Sequence, residues 1–425
     1  MLDVAFIRRH PDAVRKGLRD KGETADLDWF LQLDKDYVTV LREQQSLRER
    51  QNRLSDAIGE KRRKGGTHEE ESAEVADLKA KLKLLDEREP VLKEDLRRLL
   101  LRMPNLAAPD VPVGTRSEQN VVVETWGEKP SLAFPARPHW DLGKSLGMLH
   151  ADEAGKISGS GFSLLTGPLA QLERALWNYM LDLHTREHGY VEVAPPYLVR
   201  PHALEGCGQL PKFEEEMYRL RDDELFLIPT AEVPLTNIHR QSILPEDRLP
   251  IRYAAFSPCF RREAGAAGRD TRGLIRMHQF HKVELMAYTT PEQSDEELLR
   301  IRTNAETILR NLKLHYRVLL LCTGDMSFGS RKTFDLELWA PGVGGWLEVS
   351  SVSTFGDFQA RRAGVRFKRT EGGKTELVHT LNGSGVALPR LLIAVLETYQ
   401  AEDGSVTVPE VLRPYMGWKT EIRGD

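Results

Sequence analysis

Apolar residues recur at helical spacing along residues 27–101, in a segment that is otherwise polar. The first series is Leu27, Phe30, Tyr37, Leu41, Leu47, Leu54 and Ile58. After Gly65 and Gly66, a second series follows a heptad repeat, with Glu89 as an exception: Val75, Leu78, Leu82, Leu85, Leu92, Leu96 and Leu99. Two amphipathic stretches separated by a turn predict an antiparallel helical hairpin, with its tip near residues 61–70. Pro90 lacks a backbone donor and can kink the returning helix.

The pattern changes to mixed strands and helices from about residue 115. Residues 167–190 have one apolar face and predict a helix, and a second helix is predicted over 385–400, opening on Gly385. Strands are predicted at 225–230, 317–323 and 345–353, and on both sides of a loop within 256–284. Strands that follow one another with few helices between them favour an antiparallel sheet, and hence an α+β fold.

The chain therefore divides into two predicted domains. Residues 1–105 form an N-terminal domain that carries the long arm, about 27–101. Residues 106–114 lie in a stretch rich in proline and small residues, MPNLAAPDVPVG, which is typical of a linker. Residues 115–425 form the second domain.

Bulk properties limit the function. Charged residues make up 29% and apolar residues 40% of the 425 residues, and no run of about 18 apolar residues predicts a membrane span. The N-terminus lacks the apolar core of a signal peptide, which predicts a cytoplasmic protein. The net charge of −4 means that any nucleic-acid contact must depend on local charge. Three separated cysteines predict buried free thiols rather than disulfides or a metal site.

The richest segment is 256–284, FSPCFRREAGAAGRDTRGLIRMHQFHKVE. Two-residue periodicity puts Arg261 and Glu263 on one strand face. It also puts these residues on one face of the second strand: Arg276, His278, Phe280, Lys282 and Glu284. Guanidinium groups, an aromatic ring and carboxylates on one surface suit a nucleotide whose phosphates react with a small polar molecule. A solvated charged hairpin is the alternative.

Three other segments could contribute to the same site. Thr230 and Glu232 share a face, although a helix N-cap explains them equally well. Glu348 and Ser350 share a strand face with Ser351 beside them; beside a triphosphate such a carboxylate favours Mg²⁺, and a plain polar strand face is the alternative. LNGSGVALPR (381–390) is a glycine-bracketed turn opening a helix, whose backbone donors can face an anion, or is a simple loop.

Other chemistry is not indicated. The sequence contains no GxxxxGK[ST] phosphate loop, no HExxH and no CxxC pair. His278 and His281 point to opposite strand faces, so hydrogen-bonded or core histidines are expected rather than a metal site. The basic first helix of the arm is consistent with a solvated dimerising coiled coil or with nucleic-acid contact.

Together these segments closely resemble the bacterial seryl-tRNA synthetases, which are class II aminoacyl-tRNA synthetases. The match extends over nearly the whole chain, from MLDVAFIRRHPDAVR through GQLPKFEEEMY and TAEVPLTN to LNGSGVALPR. FRREAG is similar to the FRxEAG of the family's motif 2, residues 167–196 to motif 1, and 381–399 to motif 3.

The resemblance implies a six- to seven-stranded antiparallel sheet with a coiled-coil arm, a homodimer, and serine activation by ATP followed by transfer to tRNA(Ser). Transfer to tRNA(Sec) is implied where the cell makes that tRNA. The implied catalytic residues are Arg261 and Arg390. The implied ATP contacts are Arg261, Arg262, Glu263, Arg276, Met277, Phe280, Glu348, Val349, Ser350, Ser351 and Arg390. Glu348 and Ser351 would hold Mg²⁺. The implied serine contacts are Thr230, Ala231, Glu232, Arg261, Glu284, Asn382 and Ser384.

In this family the arm reaches the long variable arm and elbow of tRNA(Ser), which implies RNA contact by Arg42, Arg48, Arg50, Arg53, Lys61, Arg62, Arg63 and Lys64. Three positions depart from the family pattern, since Gly161, Thr354 and Phe355 stand where Arg, Asn and Cys are usual. The alternatives are a catalytically inactive paralogue and a paralogue that loads a carrier protein. Carrier-loading relatives lack the long arm, and an inactive paralogue should have a broken motif.

Overall fold

A computed structural model describes residues 1–265 and 271–424. By internal contacts the chain forms two compact units. One comprises residues 2–19 and 23–103, and the other comprises 104–425 together with residue 1 and residues 20–22.

The first unit is built around a long helical hairpin. Its helices are α1 (Val4–Arg9), α2 (Pro11–Asp20), α3 (Leu27–Arg63) and α4 (Glu69–Leu101). The Asp26 side chain caps α3 by accepting from the backbone N–H of Trp29, at 2.9 Å. The predicted hairpin is confirmed, and its turn lies between Arg63 and Glu69, within the predicted tip. α4 continues through Pro90.

Buried apolar side chains fill the seam between α3 and α4 towards the base of the arm, including Phe30, Val40 and Leu92. Gln44 is also buried, and its amide donates to Asp86 at 2.8 Å and to Glu89 at 3.2 Å. The sequence exception at Glu89 is thus part of a polar crosslink, which satisfies a buried amide and fixes the register of the hairpin.

The second unit contains an eight-stranded sheet with strand order β1-β8-β9-β10-β13-β7-β6-β2. Its strands are β1 (Val121–Trp126), β2 (Val191–Glu192), β6 (Ile251–Phe260), β7 (Gln279–Thr289), β8 (Tyr316–Leu320), β9 (Lys332–Ala340), β10 (Gly345–Gly356) and β13 (His379–Ala387). Every pairing is antiparallel except that of β2 with β6. The α+β fold with an antiparallel sheet is confirmed. The strand number of six to seven was too low, because the two-residue β2 adds to one edge.

Smaller sheets and helices complete this unit. The small sheets contain β3 (Leu198–Val199) with β4 (Phe226–Leu227), β5 (Ile243–Pro245) with β11 (Arg366–Lys368) and β12 (Thr375–Leu377), and β14 (Val406–Thr407) with β15 (Glu421–Ile422). The helices are α5 (His139–Ser145), α6 (Ala151–Ser158), α7 (Gly167–Arg186), α8 (Pro201–Cys207), α9 (Glu232–Asn237), α10 (Ser294–Asn311), α11 (Phe358–Ala363) and α12 (Leu388–Thr398).

The two faces of the large sheet have different environments. Val283, Leu285 and Ala287 of β7 belong to the main apolar core, which α7, α10 and α12 cover. The alternate residues Met286 and Tyr288 pack against residues of α9 and α11 on the other side. Because β7 is buried on both faces, the polar residues in its alternation must lie in a pocket or be hydrogen-bonded internally.

The segment predicted as a turn opening a helix is instead part of a strand. Residues 381–387 lie in β13, and α12 begins only at Leu388, with Pro389 in its first turn. Gly383 has a packing reason, since a Cβ there would lie 2.5 Å from Cγ2 of Ile301 in α10. The glycines that suggested a turn therefore allow a helix to pack closely on a central strand.

All three cysteines are free and buried, as predicted. Among the described residues, no helix is long and apolar enough to cross a membrane.

Candidate active site

A cavity of about 390 Å³ opens on the sheet face opposite to the main core. Residues from β7, β10, β13 and α12 meet there with Arg261, which follows the end of β6, so segments far apart in sequence form one site. The predicted site residues that line it are Thr230, Glu232, Arg261, Glu263, Arg276, Met277, Phe280, Glu348, Val349, Ser351, Asn382, Ser384 and Arg390.

A buried carboxylate, Glu284, lies behind the lining residues Thr230, Lys282 and Asn382 at one end of this cavity and is not itself part of the lining. Glu284 is inaccessible to solvent, and its Oε2 accepts from the Thr230 hydroxyl at 3.1 Å. The Asn382 amide donates to Oε1 at 3.1 Å, and the Lys282 ammonium lies 2.5 Å from Oε2. A buried carboxylate needs such partners, and a carboxylate has room for about four hydrogen bonds. Thr230, Asn382 and Lys282 therefore fix the Glu284 carboxylate directly behind the cavity lining.

Glu232 provides a second carboxylate at the same end. It begins α9, and its backbone N–H donates to the Thr230 hydroxyl at 3.2 Å. The N-cap is Ala231 rather than the predicted Thr230, so Thr230 and Glu232 lie at a helix start and also line the cavity. Its Oε1 accepts from the Gln359 amide at 2.7 Å. Burial raises the pKa of the Glu232 carboxyl to about 7; the Glu284 carboxylate adds to this shift, and Gln359 opposes it. A cationic ligand group would favour the ionised form.

Guanidinium groups and an aromatic ring occupy the middle of the cavity. The Arg261 guanidinium lies over the Phe280 ring, 5.2 Å from its centroid, and its Nε donates to the Pro229 carbonyl at 3.3 Å. Arg276 donates to Glu263 at 2.9 Å, which fixes the direction of both side chains. These contacts hold cationic donors in place around a concave surface that can accept an anion.

A β-bulge in β10 shapes the other end. The pairing with β9 shifts between Glu348 and Ser350, so Glu348, Val349 and Ser351 line the cavity while Ser350 does not. Ser350 is buried and donates to the Ser384 carbonyl at 2.5 Å. The predicted shared face of Glu348 and Ser350 was therefore wrong, because alternation fails where a bulge inserts a residue.

Arg390, in the first turn of α12, is held against this end. Its guanidinium donates to the Glu348 carbonyl at 2.7 Å and to the Ile275 carbonyl at 3.4 Å. The Glu348 carboxylate lies 3.7 Å from the same guanidinium and is half exposed. This end of the cavity thus combines the accessible carboxylate of Glu348 with the Arg390 guanidinium, which two backbone carbonyls hold in place.

Asp335 of β9 lies directly across from Ser351, and its Oδ1 is buried without a hydrogen-bond partner. Burial and the nearby Glu348 carboxylate raise the pKa of Asp335 well above its usual value. Oxygen atoms of Glu348 and Ser351 beside an unsatisfied carboxylate oxygen are the hard donors that Mg²⁺ prefers. No cluster of three or more His, Cys, Asp or Glu side chains suited to a metal occurs in the described ranges. A magnesium ion here would therefore need phosphate and water oxygens as well.

Some predicted residues lie elsewhere. Arg262 is exposed in a separate cleft beside Tyr218 and Arg219. Ala231 is fully buried at the start of α9, so only its backbone can act. His278 bonds the Arg261 carbonyl at 3.1 Å and His281 bonds Glu173 at 3.0 Å, which confirms hydrogen-bonded roles for both.

Sequence reasoning assigned no role to three residues of the site. Lys282 was on the correct face, and its alternation with Phe280 and Glu284 was the available signal. Gln359 links Glu232 to the Thr380 hydroxyl, and nothing in its sequence context indicates this. Asp335 depends on strand pairing, which a single sequence does not reveal.

Comparison with known proteins agrees with this geometry. The family model of the class II tRNA synthetase core domain (G, H, P, S and T) matches residues 212–399, and that of the seryl-tRNA synthetase N-terminal domain matches residues 1–107. A serine–tRNA ligase of Syntrophotalea carbinolica is 52% identical over 99% of this chain and 100% of its own length. One from Trichlorobacter lovleyi is 49% identical over 98% of each chain. The chain belongs to the serine–tRNA ligase family.

Solved structures of family members extend the similarity to three dimensions. The seryl-tRNA synthetase of Pyrococcus horikoshii, complexed with ATP, has a TM-score of 0.95 at 38% identity, with full coverage of both chains. The cytoplasmic serine–tRNA ligase of Naegleria fowleri, in complex with AMP, has a TM-score of 0.89 at 26% identity, covering 100% of this chain and 99% of its own.

The three departures from the pattern of the serine–tRNA ligase family have local structural settings. A Cβ at Gly161 would lie 2.5 Å from the His278 ring, so an arginine there would require that ring to move. Thr354 shares a hydrogen bond of 3.1 Å with Ser294. Phe355 is buried and lines the cavity, where it narrows the site with an aromatic side chain.

The raised pKa of Glu232 predicts that the free energy of unfolding of the ligand-free protein decreases as pH rises. The folded protein holds the proton up to about pH 7, whereas the unfolded chain releases it near pH 4.3. Stability therefore falls as pH rises through this window, by about 4 kcal/mol in total. Glu232→Gln has no such charge. We expect its melting temperature to exceed that of wild type by an amount that grows between pH 5 and pH 8.

The matched control is Glu224→Gln, which removes an exposed carboxylate from the same unit. Its difference from wild type should stay constant over this range. A constant difference for Glu232→Gln as well would contradict the buried-charge account.

Proposed function

We propose that this chain activates L-serine with ATP to form seryl-adenylate and pyrophosphate, and then transfers the seryl group to the terminal ribose of tRNA(Ser), acting as a homodimer. Charging of tRNA(Sec) belongs to the proposal where the cell makes that tRNA. The observation that carries the proposal is one cavity lined by the buried Glu232 carboxylate at one end, with Glu284 directly behind Thr230, and by Arg261, Arg276 and Arg390 along the rest. The exposed valines of edge strand β1, each 44–48% accessible, support a dimer surface.

The first step needs little covalent work from the protein. The serine carboxylate attacks the α-phosphate of ATP, and pyrophosphate leaves in line. Arg261, held between the Pro229 carbonyl and the Phe280 ring, can bind both the carboxylate and the α-phosphate. Positioning the two reactants and stabilising the charge on the phosphate oxygens accounts for this catalysis.

Nucleotide contacts follow from the rest of the cavity. Phe280 offers its ring to the adenine, beside the backbone of Met277, while Glu263 faces the base. Arg276 and Arg390 bind the outer phosphates. Val349 and Ser351 lie along the same wall, and Ser350 supports it through Ser384. The role of Arg262 in ATP binding rests on the resemblance alone, since this residue lies in a separate cleft. These roles extend the family resemblance residue by residue.

Recognition of serine uses the carboxylate end. Glu232 and the Thr230 hydroxyl bind the ammonium group, and Glu284 accepts from the serine hydroxyl, flanked by Asn382 and Ser384. Alanine and glycine lack that hydroxyl and would leave a buried Glu284 lone pair unsatisfied. A site of this kind rejects such analogues strongly, by about 10⁴-fold where hydrogen bonding is the discriminator.

Mg²⁺ belongs to this proposal, with Glu348 and Ser351 as its protein ligands. When bound, it would neutralise charge on the ATP phosphates. The half-exposed Glu348 carboxylate and the unsatisfied Oδ1 of Asp335 support this assignment.

The arm supplies the contact with tRNA. Exposed basic residues occur along both α3 and α4. On α3 and directly after it, Arg42, Arg53 and Lys64 have no ion-pair partner among the described residues of the arm. Arg48, Arg50 and Lys61 are paired with acids of α4. Arg62 and Arg63 lie beside the turn. In this assignment residues 1–105 bind tRNA and 115–425 catalyse aminoacylation, joined by 106–114.

Two alternatives fit less well. A paralogue that loads a carrier protein would not need α3 and α4, which together span most of residues 27–101. An inactive paralogue would not need Arg261, Glu348 and Arg390 around one cavity, with Glu284 hydrogen-bonded directly behind it.

Arg261→Ala should abolish serine-dependent exchange of pyrophosphate into ATP, a loss of at least about 10³-fold, because it removes the cation shared by both reactants. Arg261→Lys should recover only part of it, since an ammonium lacks the planar fork. Arg221→Ala is the control: Arg221 is exposed and pairs with its neighbour Asp222. Absence of exchange in wild type at saturating substrates would overturn the proposal.

Removing the arm should separate the two steps. Gln44 of α3 contacts Asp86 of the antiparallel α4. Ten residues closer to the base of the hairpin on each helix, Asp34 therefore lies opposite Leu96. Replacing residues 35–95 by a short Gly-Ser linker should leave pyrophosphate exchange within about twofold. Charging of tRNA should fall by on the order of 10²-fold or more, because phosphate contacts are lost.

The full-length variant Arg42→Ala/Arg53→Ala/Lys64→Ala should weaken tRNA binding and reduce its dependence on salt concentration, with exchange unaffected. Equal losses of exchange and charging in the arm deletion would contradict the role given to the arm.

A further inference from the structure

A buried histidine–glutamate pair lies outside the cavity, below the nucleotide end. His139 at the start of α5 and Glu397 near the end of α12 are both fully inaccessible to solvent. The Nδ1 atom of His139 is 2.9 Å from Oε1 of Glu397, which also accepts from the His139 backbone N–H at 2.9 Å. Two fully buried ionisable groups require a complete set of partners.

The other atoms of the pair bind two loops. Oε2 of Glu397 accepts from the backbone N–H groups of Gly342 and Val343, at 2.8 and 3.0 Å, in the turn between β9 and β10. Nε2 of His139 accepts from the backbone N–H of Leu274 at 3.0 Å. Because Nε2 is the acceptor, the proton of the ring lies on Nδ1 and is donated to Glu397.

These loops carry the nucleotide contacts. Leu274 begins the run of cavity residues that continues with Ile275, Arg276 and Met277. The turn at Gly342 and Val343 leads into β10 and Glu348, and α12 itself carries Arg390. The Ile275 carbonyl in turn accepts from the Arg390 guanidinium at 3.4 Å. The His139–Glu397 pair therefore contacts the loop that carries Arg276 and the turn that leads to Glu348, and Glu397 itself lies in α12 with Arg390. Apart from Arg261, these segments supply the proposed phosphate contacts.

The loop is fitted closely to this pair. Gly273 has φ +58°, and a Cβ there would lie 2.3 Å from Nε2 of His139. A Cβ at Gly342 would lie 2.3 Å from the Arg137 carbonyl oxygen. Beside the pair, the Arg272 guanidinium stacks over Trp140, 4.4 Å from the ring centroid. Glycine at 273 lets the loop backbone reach His139, and glycine at 342 lets the turn pack against the backbone just before α5.

We propose that His139 and Glu397 are positioning residues for the nucleotide, with His139 setting the loop at Leu274–Met277 and Glu397 setting the turn that leads to Glu348. Neither touches substrate. The inference rests on the proposed function for the identity of the nucleotide, and it concerns only the ATP half of the cavity. The carboxylate end is held by Thr230, Asn382 and Lys282, independently of this pair.

Two substitutions of similar size test the two side-chain hydrogen bonds of His139 one at a time. His139→Gln places an amide oxygen near the position of Nε2 and can still accept from the Leu274 N–H. His139→Asn places an amide nitrogen near Nδ1 and can still donate to Glu397, but it leaves the Leu274 N–H unpaired. An unpaired buried donor costs about 1–3 kcal/mol, which corresponds to about a 5- to 150-fold loss of affinity.

We expect His139→Asn to raise the ATP dissociation constant by at least about fivefold and His139→Gln to raise it less. Titration calorimetry with ATP and Mg²⁺ measures this without turnover, so the result stands apart from the serine activity. In pyrophosphate exchange, KM for ATP should rise while KM for serine stays within twofold. Amide hydrogen exchange in residues 271–277 should quicken in His139→Asn only.

Equal effects of the two variants on ATP affinity, or parallel rises in KM for ATP and for serine, would overturn the proposal and indicate a general structural role. If His139→Asn does not fold, Gly273→Ala disturbs the same contact from the loop side and should show the same selective loss of ATP affinity. Unchanged ATP affinity in a folded variant of either kind would also overturn it. Failure of wild type to exchange pyrophosphate, with ATP binding intact, would instead count against the proposed function.

Discussion

The site depends on one fully buried carboxylate, Glu284, in a strand that is covered on both faces. Such a charge is stable only with its hydrogen bonds complete, and Thr230, Asn382 and Lys282 supply three partners from three different positions. β7 therefore cannot shift relative to α9 or β13 without leaving a charge unpaired. The same requirement leaves little freedom at the cavity end of Glu284, which suits discrimination by a single substrate hydroxyl.

Strand pairing links the position of Glu284 to the other end of the cavity. β13 pairs with both β7 and β10, so Ser384 lies opposite Glu284 while its carbonyl accepts from Ser350. The bulge at Val349 then puts Glu348 and Ser351 on the same cavity wall. Different contacts hold the two ends of the cavity. Side chains of the sheet and of the segment before α9 fix the carboxylate end. Loops hydrogen-bonded to His139 and Glu397 form the end proposed for the nucleotide. Each half can therefore be perturbed without the other.

Local sequence patterns predicted most of the helices and strands. The contacts between those elements are known only from the structure. The helical spacing of 27–101 was sufficient for the hairpin, and two-residue alternation placed Phe280, Lys282 and Glu284 correctly because β7 is regular. The predicted strand positions of Arg276 and His278 were wrong because β7 begins only at Gln279, and those of Arg261 and Glu263 were wrong because β6 ends at Phe260. Alternation failed at Ser350, where a bulge adds a residue, and the glycines around Ser384 suggested a turn because their reason, the close approach of Ile301, is a long-range contact. Gln359, Asp335 and His139 were missed for the same reason: their partners are more than 15 residues away in the chain.

The amino-acid dependence of pyrophosphate exchange tests the central claim most directly, namely that a buried carboxylate selects serine. Wild-type protein with ATP and Mg²⁺ should exchange pyrophosphate with serine, and with alanine or glycine only at a kcat/KM lower by about 10⁴-fold. Glu284→Gln, which keeps the size of the side chain, should lose most of the activity with serine. Comparable exchange with serine and alanine in wild type would contradict the account.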